Sequence, residues 1–188
     1  MTVTTLDPKT ALVVIDLQKG LAGYPTVHPF EAIVANAAAL AAEFRSRGLP
    51  VVLVNAAGGA PGRTEQPRRA GALSPEAIEL LPELGHQQPQ DILVTKMTWG
   101  AFASTDLAAR LKAAGVTQIV LAGVATSIGV ESTAREAFGL GFNVTLAVDA
   151  MTDLDADAHA NSVGRIFPRL GETGTTSEIV ALLGARSA

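Results

Sequence analysis

Cysteine is absent from the chain, which removes a disulfide framework, thiolate metal sites and every mechanism with a sulfur nucleophile. No apolar run approaches the ~20 residues that span a bilayer. The opening MTVTTLDPKT has neither the basic nor the apolar segment of a secretory leader, so the expectation is a cytoplasmic protein with no membrane partner. Charge is low: 14 Lys and Arg stand against 18 Asp and Glu, a net −4. The basic residues cluster only at Arg63, Arg68 and Arg69, which is no electrostatic footprint for nucleic acid. Neither G-x-G-x-x-G nor G-x-x-x-x-G-K-[ST] follows an apolar run, so nucleotide binding has fold-level support alone. The three histidines, His28, His86 and His159, are scattered without a Cys or Asp-x-His cluster, and neither a catalytic metal nor a cofactor is expected. Aromatics are few, six Phe, one Trp and one Tyr, so any that falls beside a motif is a candidate for the site.

Short runs of Val, Ile and Leu alternate with stretches of helical period. That pattern implies an α/β fold: a single domain, residues 1–188, with a mainly parallel, Rossmann-like six-stranded sheet and helices on both faces in three layers. The runs are ALVVID (11–16), PVVLVNA (50–56), DILVTK (91–96), QIVLAGV (118–124) and NVTLAVDA (143–150), with a sixth short strand near Gly171. Phe30, Ile33, Val34, Ala37, Leu40, Ala41 and Phe44 recur at three and four, one apolar helix face that Gly48 and Pro50 end. Ser104 or Thr105 opens a helix with Leu107, Leu111 and Ala114, stopped at Gly115. Val130, Ala134, Ala137 and Phe138 form the apolar face of the next, and His159, with Val163 and Ile166, sits on a helix ending at Pro168. The segment from Ala56 to Ser74 has no hydrophobic period and reads as a loop, either a lid or binding element or a surface connection.

In an open parallel sheet, ligands bind outside the carboxyl ends of the strands. Polar residues stand at several of those ends: Asp16, followed by Leu17 and Gln18, then Lys96, then a glycine-rich turn, then Asp149. A carboxylate and an ammonium brought together in a dry crevice tune each other, so that Asp16 can serve as acid or base while Lys96 holds it or polarises a substrate oxygen. The alternative is that Asp16 opens a turn and Lys96 is solvated. Trp99 and Phe102 follow in KMTWGAF and suit a pocket wall, core packing or a subunit interface. The turn, GVATSIGVESTAREA, offers backbone N–H groups and the positive end of a helix. Thr126, Ser127 and Ser132 are expected to cap that helix rather than to attack a substrate, and Glu131 with Arg135 to form a surface or intersubunit pair.

ALVVIDLQ, VTKMTWGAFASTDL, AGVATSIGVESTAREA and VTLAVDAM together resemble the isochorismatase-like superfamily, which includes nicotinamidases, N-carbamoylsarcosine amidases and isochorismatases. The resemblance runs from about Thr10 to Leu183. It implies a six-stranded sheet, a homodimer or higher homo-oligomer, and a cis peptide at Val124–Ala125. In the amidase branches the triad is Asp, Lys and Cys; Asp16 and Lys96 match the first two, and Gly129 stands where the Cys would be. Isochorismatases also carry Gly there and use the aspartate to protonate a vinyl ether. Their aromatic and histidine in the turn are Ala125 and Ser127 here, and the nicotinamidase metal motif is absent from VNAAGGAPGRT.

The leading expectation is a metal-free hydrolase of a small anionic or carbonyl-bearing molecule. Asp16, Lys96 and Gly129 form its catalytic centre, and Gln18, Trp99, Phe102, Val124, Ala125, Thr126, Ser127 and Ile128 its substrate-binding set. The alternative is a degenerate homologue that binds a small molecule or serves as a structural subunit.

Overall fold

A computed structural model describes residues 2–65 and 73–185. Its sheet has six parallel strands in the order β3-β2-β1-β4-β5-β6: β1 (Thr10–Ile15), β2 (Val51–Ala56), β3 (Ile92–Lys96), β4 (Gln118–Val124), β5 (Asn143–Thr152) and β6 (Glu172–Gly174). The central strand β1 is buried along its whole length. Leu12 and Val14 face one core, and Ala11, Val13 and Ile15 face the other. Period two with apolar residues in both phases produces the continuous run seen in the sequence.

Helices α1 (Phe30–Ser46) and α5 (Thr176–Ala185) cover the first face, and α2 (Leu107–Ala113) and α3 (Glu131–Gly139) the second. The seven residues expected on the apolar face of α1 are its seven buried residues. A short helix α4 (Ala156–Asn161) carries His159 and continues through a π turn at Ser162–Ile166 into a turn containing Pro168.

Some expectations need correction. Phe138 points away from the core and is exposed. The strand assigned to 143–150 runs on to Thr152, so Asp149 lies inside β5 rather than at its end. Its carboxylate accepts from the amide and hydroxyl of Thr176 and fastens the start of α5. The N-cap of α2 is Asp106, while the Thr105 hydroxyl accepts from Leu107 N–H. Of the loop read between Ala56 and Ser74, residues 66–72, with Arg68 and Arg69, lie outside the described residues. Among the described residues, no helix is long and apolar enough to cross a membrane.

Candidate active site

The strand order reverses at β1. The chain runs outward through β2 and β3 and then returns to lay β4 against the other edge of β1. A crevice opens at such a switch point because the loops leaving β1 and β4 diverge. Here it is a cavity of about 220 Å³, with Asp16 just beyond β1 and the turn with Gly129 just beyond β4 on its wall. That volume suits only a small molecule.

Asp16 is a buried carboxylate with its backbone at φ 54. Non-glycine residues seldom adopt that conformation, and Asp tolerates it better than most. The reversal is fixed by Asp16 N–H donating to Val54 O and by Gln18 N–H donating to Asp16 O. Lys96 reaches it from two strands away, across about 9.5 Å of sheet, which a long flexible side chain can cover. Lys96 is 2 % exposed, and all three of its N–H groups have acceptors: Asp16 Oδ2 at 2.8 Å, Trp99 O at 2.9 Å and Thr98 O at 3.2 Å. It therefore holds Asp16 and shapes the loop after β3, with no donor left over for a substrate. The second oxygen of the carboxylate, Asp16 Oδ1, is buried without a hydrogen-bond partner. Burial dominates over the attraction and hydrogen bond of Lys96 and raises the Asp16 pKa from 3.8 to about 6, so its proton can be held or released near neutral pH.

The turn after β4 begins with a cis Val124–Ala125 bond, as the resemblance implied. A π turn over Thr126–Val130 leads into α3. A Cβ on Gly129 would lie 2.9 Å from Ile15 Cγ2 and 3.3 Å from Asp16 Oδ2, so the glycine lets the turn press against the end of β1. The backbone amides of this turn are partly engaged: Ile128 and Val130 donate to Ala125 O, and Ser127 donates to the Asp153 carboxylate. The capping role expected of the hydroxyls is not what the fold uses. Ala125 stands at the N-cap without a side-chain bond, and Asp153 supplies the carboxylate. Thr126 is buried, with its hydroxyl 2.9 Å from Nδ1 of His159.

Eight of the expected site residues, Asp16, Gln18, Lys96, Trp99, Val124, Ala125, Ile128 and Gly129, line the cavity. Three do not. Phe102 is 7 % exposed and packs in the core, stacked on Phe142 at 5.9 Å, because the chain turns inward after Gly100 and spends its other ring, Trp99, on the cavity rim. Thr126 and Ser127 stand behind the wall rather than on it. Gln18 lines the cavity, but its amide is taken: Nε2 donates to Ala56 O and Ala77 O, and Oε1 accepts from Ala56 N–H.

The sequence reading missed Asp153, which is buried on the cavity wall immediately after β5. The strand-end rule would have found it had β5 been extended two residues. Two of the three scattered histidines are also brought together, with the rings of His28 and His159 at 4.7 Å. Burial first, then His28, lowers the His159 pKa, against an opposing pull from Asp153. Glu131 and Arg135 pair at 2.9 Å within the chain, and Glu131 also accepts from Ser162 Oγ, tying α3 to the π turn after α4. Among the described residues no group of three or more His, Cys, Asp or Glu side chains could hold a metal ion.

The chain is 42% identical over 184 residues to an uncharacterized isochorismatase family protein, YecD, of Escherichia coli O157:H7, covering 93% of this chain and 96% of the relative. It is 30% identical over 202 residues to the ureidoacrylate amidohydrolase RutB of Variovorax paradoxus, covering 91% and 80%. A solved structure of an isochorismatase family protein from Burkholderia thailandensis superposes with a TM-score of 0.91 at 43% identity, over 96% of this chain and 98% of that one. The model of the isochorismatase domain matches residues 10–178, and the chain belongs to the isochorismatase family.

Proposed function

We propose that the protein is a hydrolase of a small ether-, amide- or carbamate-type molecule, with Asp16 as the acid/base, Lys96 as its electrostatic partner and no metal. The observation that carries this reading is the buried Asp16 on the wall of a small apolar cavity, with one oxygen on Lys96 and the other, Oδ1, buried without a hydrogen-bond partner. A protonated Asp16 gives its proton to the substrate, and water adds at the activated carbon as its own proton returns to the carboxylate; the C–O or C–N bond from that carbon to the leaving group then breaks, and the alcohol or amine departs carrying the proton from Asp16 or from the newly added hydroxyl. The amide of Ala125, a residue of the cavity wall, is the candidate for stabilising charge that develops beside the turn. Gly129 has no side chain to attack with, so no covalent enzyme intermediate forms there. Relatives that include an amidohydrolase support hydrolysis as the reaction class, and the proposed working form is a homodimer or higher homo-oligomer. The test is a screen of vinyl ethers, amides and carbamates against wild type and Asp16→Asn. Turnover that survives the substitution unchanged would sink the assignment.

A second reading is favoured by the saturation of Lys96 and Gln18, which leaves few polar groups to act on a substrate. In it the cavity binds a small molecule without reaction. Ligand-induced stabilisation with no turnover across the same screen would select it.

A further inference from the structure

The start of a helix, with backbone N–H groups unpaired within the helix, is where an anionic substrate group would be received. In this protein a carboxylate of its own already stands there. Asp153 Oδ2 accepts the N–H of Ser127 at 2.6 Å, and Oδ1 accepts those of Leu154 at 2.7 Å and Asp155 at 3.4 Å. Its backbone carbonyl accepts Val27 N–H at 2.8 Å, which joins the loop before α1 to the same point. Asp153 is 2 % exposed and lines the cavity with Asp16.

Among the described lining residues the charges do not cancel. Lys96 is the cation among them, and it is paired with Asp16, its two remaining N–H groups going to backbone carbonyls. Among the described residues no Lys or Arg forms an ion pair with Asp153. The rest of the wall is largely apolar, with Leu21, Phe30, Leu73, Val124 and Ile128 on it. A negative charge brought into that space meets Asp153 in a medium of low polarisability, where like charges repel strongly.

We infer that Asp153 determines specificity by occupying the anion position of the turn, so that the cavity admits substrates with no negative charge at that end and rejects carboxylates. This rests on the reading of the cavity as the substrate site, and narrows the anionic or carbonyl-bearing class to its uncharged members. Amides, carbamates and ethers fit; a free acid of the same shape does not. Asp153 is also a positioning residue: its contact with Ser127 N–H holds the turn that carries Gly129, while the N–H groups of Leu154 and Asp155 fix the carboxylate itself.

The absence of cysteine makes a direct test available in the full chain. Ile128→Cys places a single thiol on the cavity wall, at a residue accessible to reagents. Iodoacetamide and iodoacetate alkylate a thiolate by the same displacement, in which the S–C bond forms as the C–I bond breaks and iodide leaves. They differ in one negative charge. Phe138→Cys, exposed on α3 outside the cavity, is the reference for the net charge of the protein. Rates are read by intact mass spectrometry at pH 8 and low salt. The iodoacetamide to iodoacetate rate ratio at the introduced cavity thiol is expected to exceed the reference ratio by about tenfold. Adding Asp153→Asn, whose side-chain oxygen can still accept Ser127 N–H, should bring the two ratios within about twofold. Asp153→Ser is the second variant should the first fail to fold. A cavity ratio equal to the reference, or one that survives both substitutions, overturns the proposal. Alkylation needs no turnover, so a failure of Asp16 as acid/base leaves these ratios unmoved, and a failure here leaves Asp16 untouched.

Discussion

Lys96 Nζ lies 2.8 Å from Asp16 Oδ2, and the other oxygen of that carboxylate is buried with no partner. The ion pair therefore satisfies half of the acid, and burial governs its proton. The Asp16 pKa rises from 3.8 to about 6. A carboxyl that binds its proton more tightly folded than unfolded contributes stability that is fully present below about 3.8 and lost as pH rises through about 6. Urea unfolding of wild type and Asp16→Asn between pH 4 and pH 7 should show wild type losing stability relative to the variant across that window. A difference that does not change with pH would contradict the assignment.

Removing the cation should hurt more than removing both charges. Lys96→Met leaves a buried carboxylate without its partner and should cost about 3–5 kcal/mol. Because the two groups share one interaction, the double variant Asp16→Asn with Lys96→Met should cost less than the sum of the single changes, by about 0.5–3 kcal/mol. A denaturant-based double-mutant cycle measures this, and strict additivity would mean the pair contributes nothing.

Gly129→Ala should destabilise, against the usual gain of roughly 0.5–1 kcal/mol for replacing a helical glycine. The new Cβ would meet Ile15 Cγ2 at 2.9 Å, and Ile15 is fully buried between β2 and β4 with little room to give. Overpacking of this kind costs about 1–3 kcal/mol, read from the shift in unfolding midpoint. Gly129→Cys meets the same wall, so any amidase activity it gains would appear in a less stable protein.

The two aromatics of KMTWGAF should separate cleanly. Phe102→Ala opens the core beside Phe142 and should cost about 3–5 kcal/mol. Trp99 is 63 % exposed on the cavity rim, so Trp99→Ala should change stability by no more than about 0.5 kcal/mol while altering ligand binding. Paired unfolding curves and a ligand titration check both halves.

Much of the site was legible because strand ends are local events. Asp16, Lys96 and the turn at Gly129 each stand where an apolar run stops, and the rule that places ligands at the carboxyl ends of strands then gathers them. The rule failed at Asp153 for a physical reason. The run that forms β5 weakens at Val148 and Asp149, where its register with β4 shifts, and the strand resumes to Thr152 through pairing that only β4 supplies. Phe102 and Trp99 could not be told apart either, since three residues of irregular chain carry no period to say which ring turns inward.

By itself the sequence determined the layer architecture, the α1 face and the chemical limits of the site. Those follow from apolar periodicity and from which atoms are present at all; with no cysteine and Gly129 at the turn, sulfur chemistry is closed whatever the fold. Tertiary structure decided which polar atoms remain available. Lys96 and Gln18 look free along the chain and are fully engaged in the fold, while Asp16 Oδ1 looks ordinary and is left bare. Lys96 and Asp16 are 80 residues apart along the chain, and their pairing is set by the packing of strands against one another, which no local pattern records.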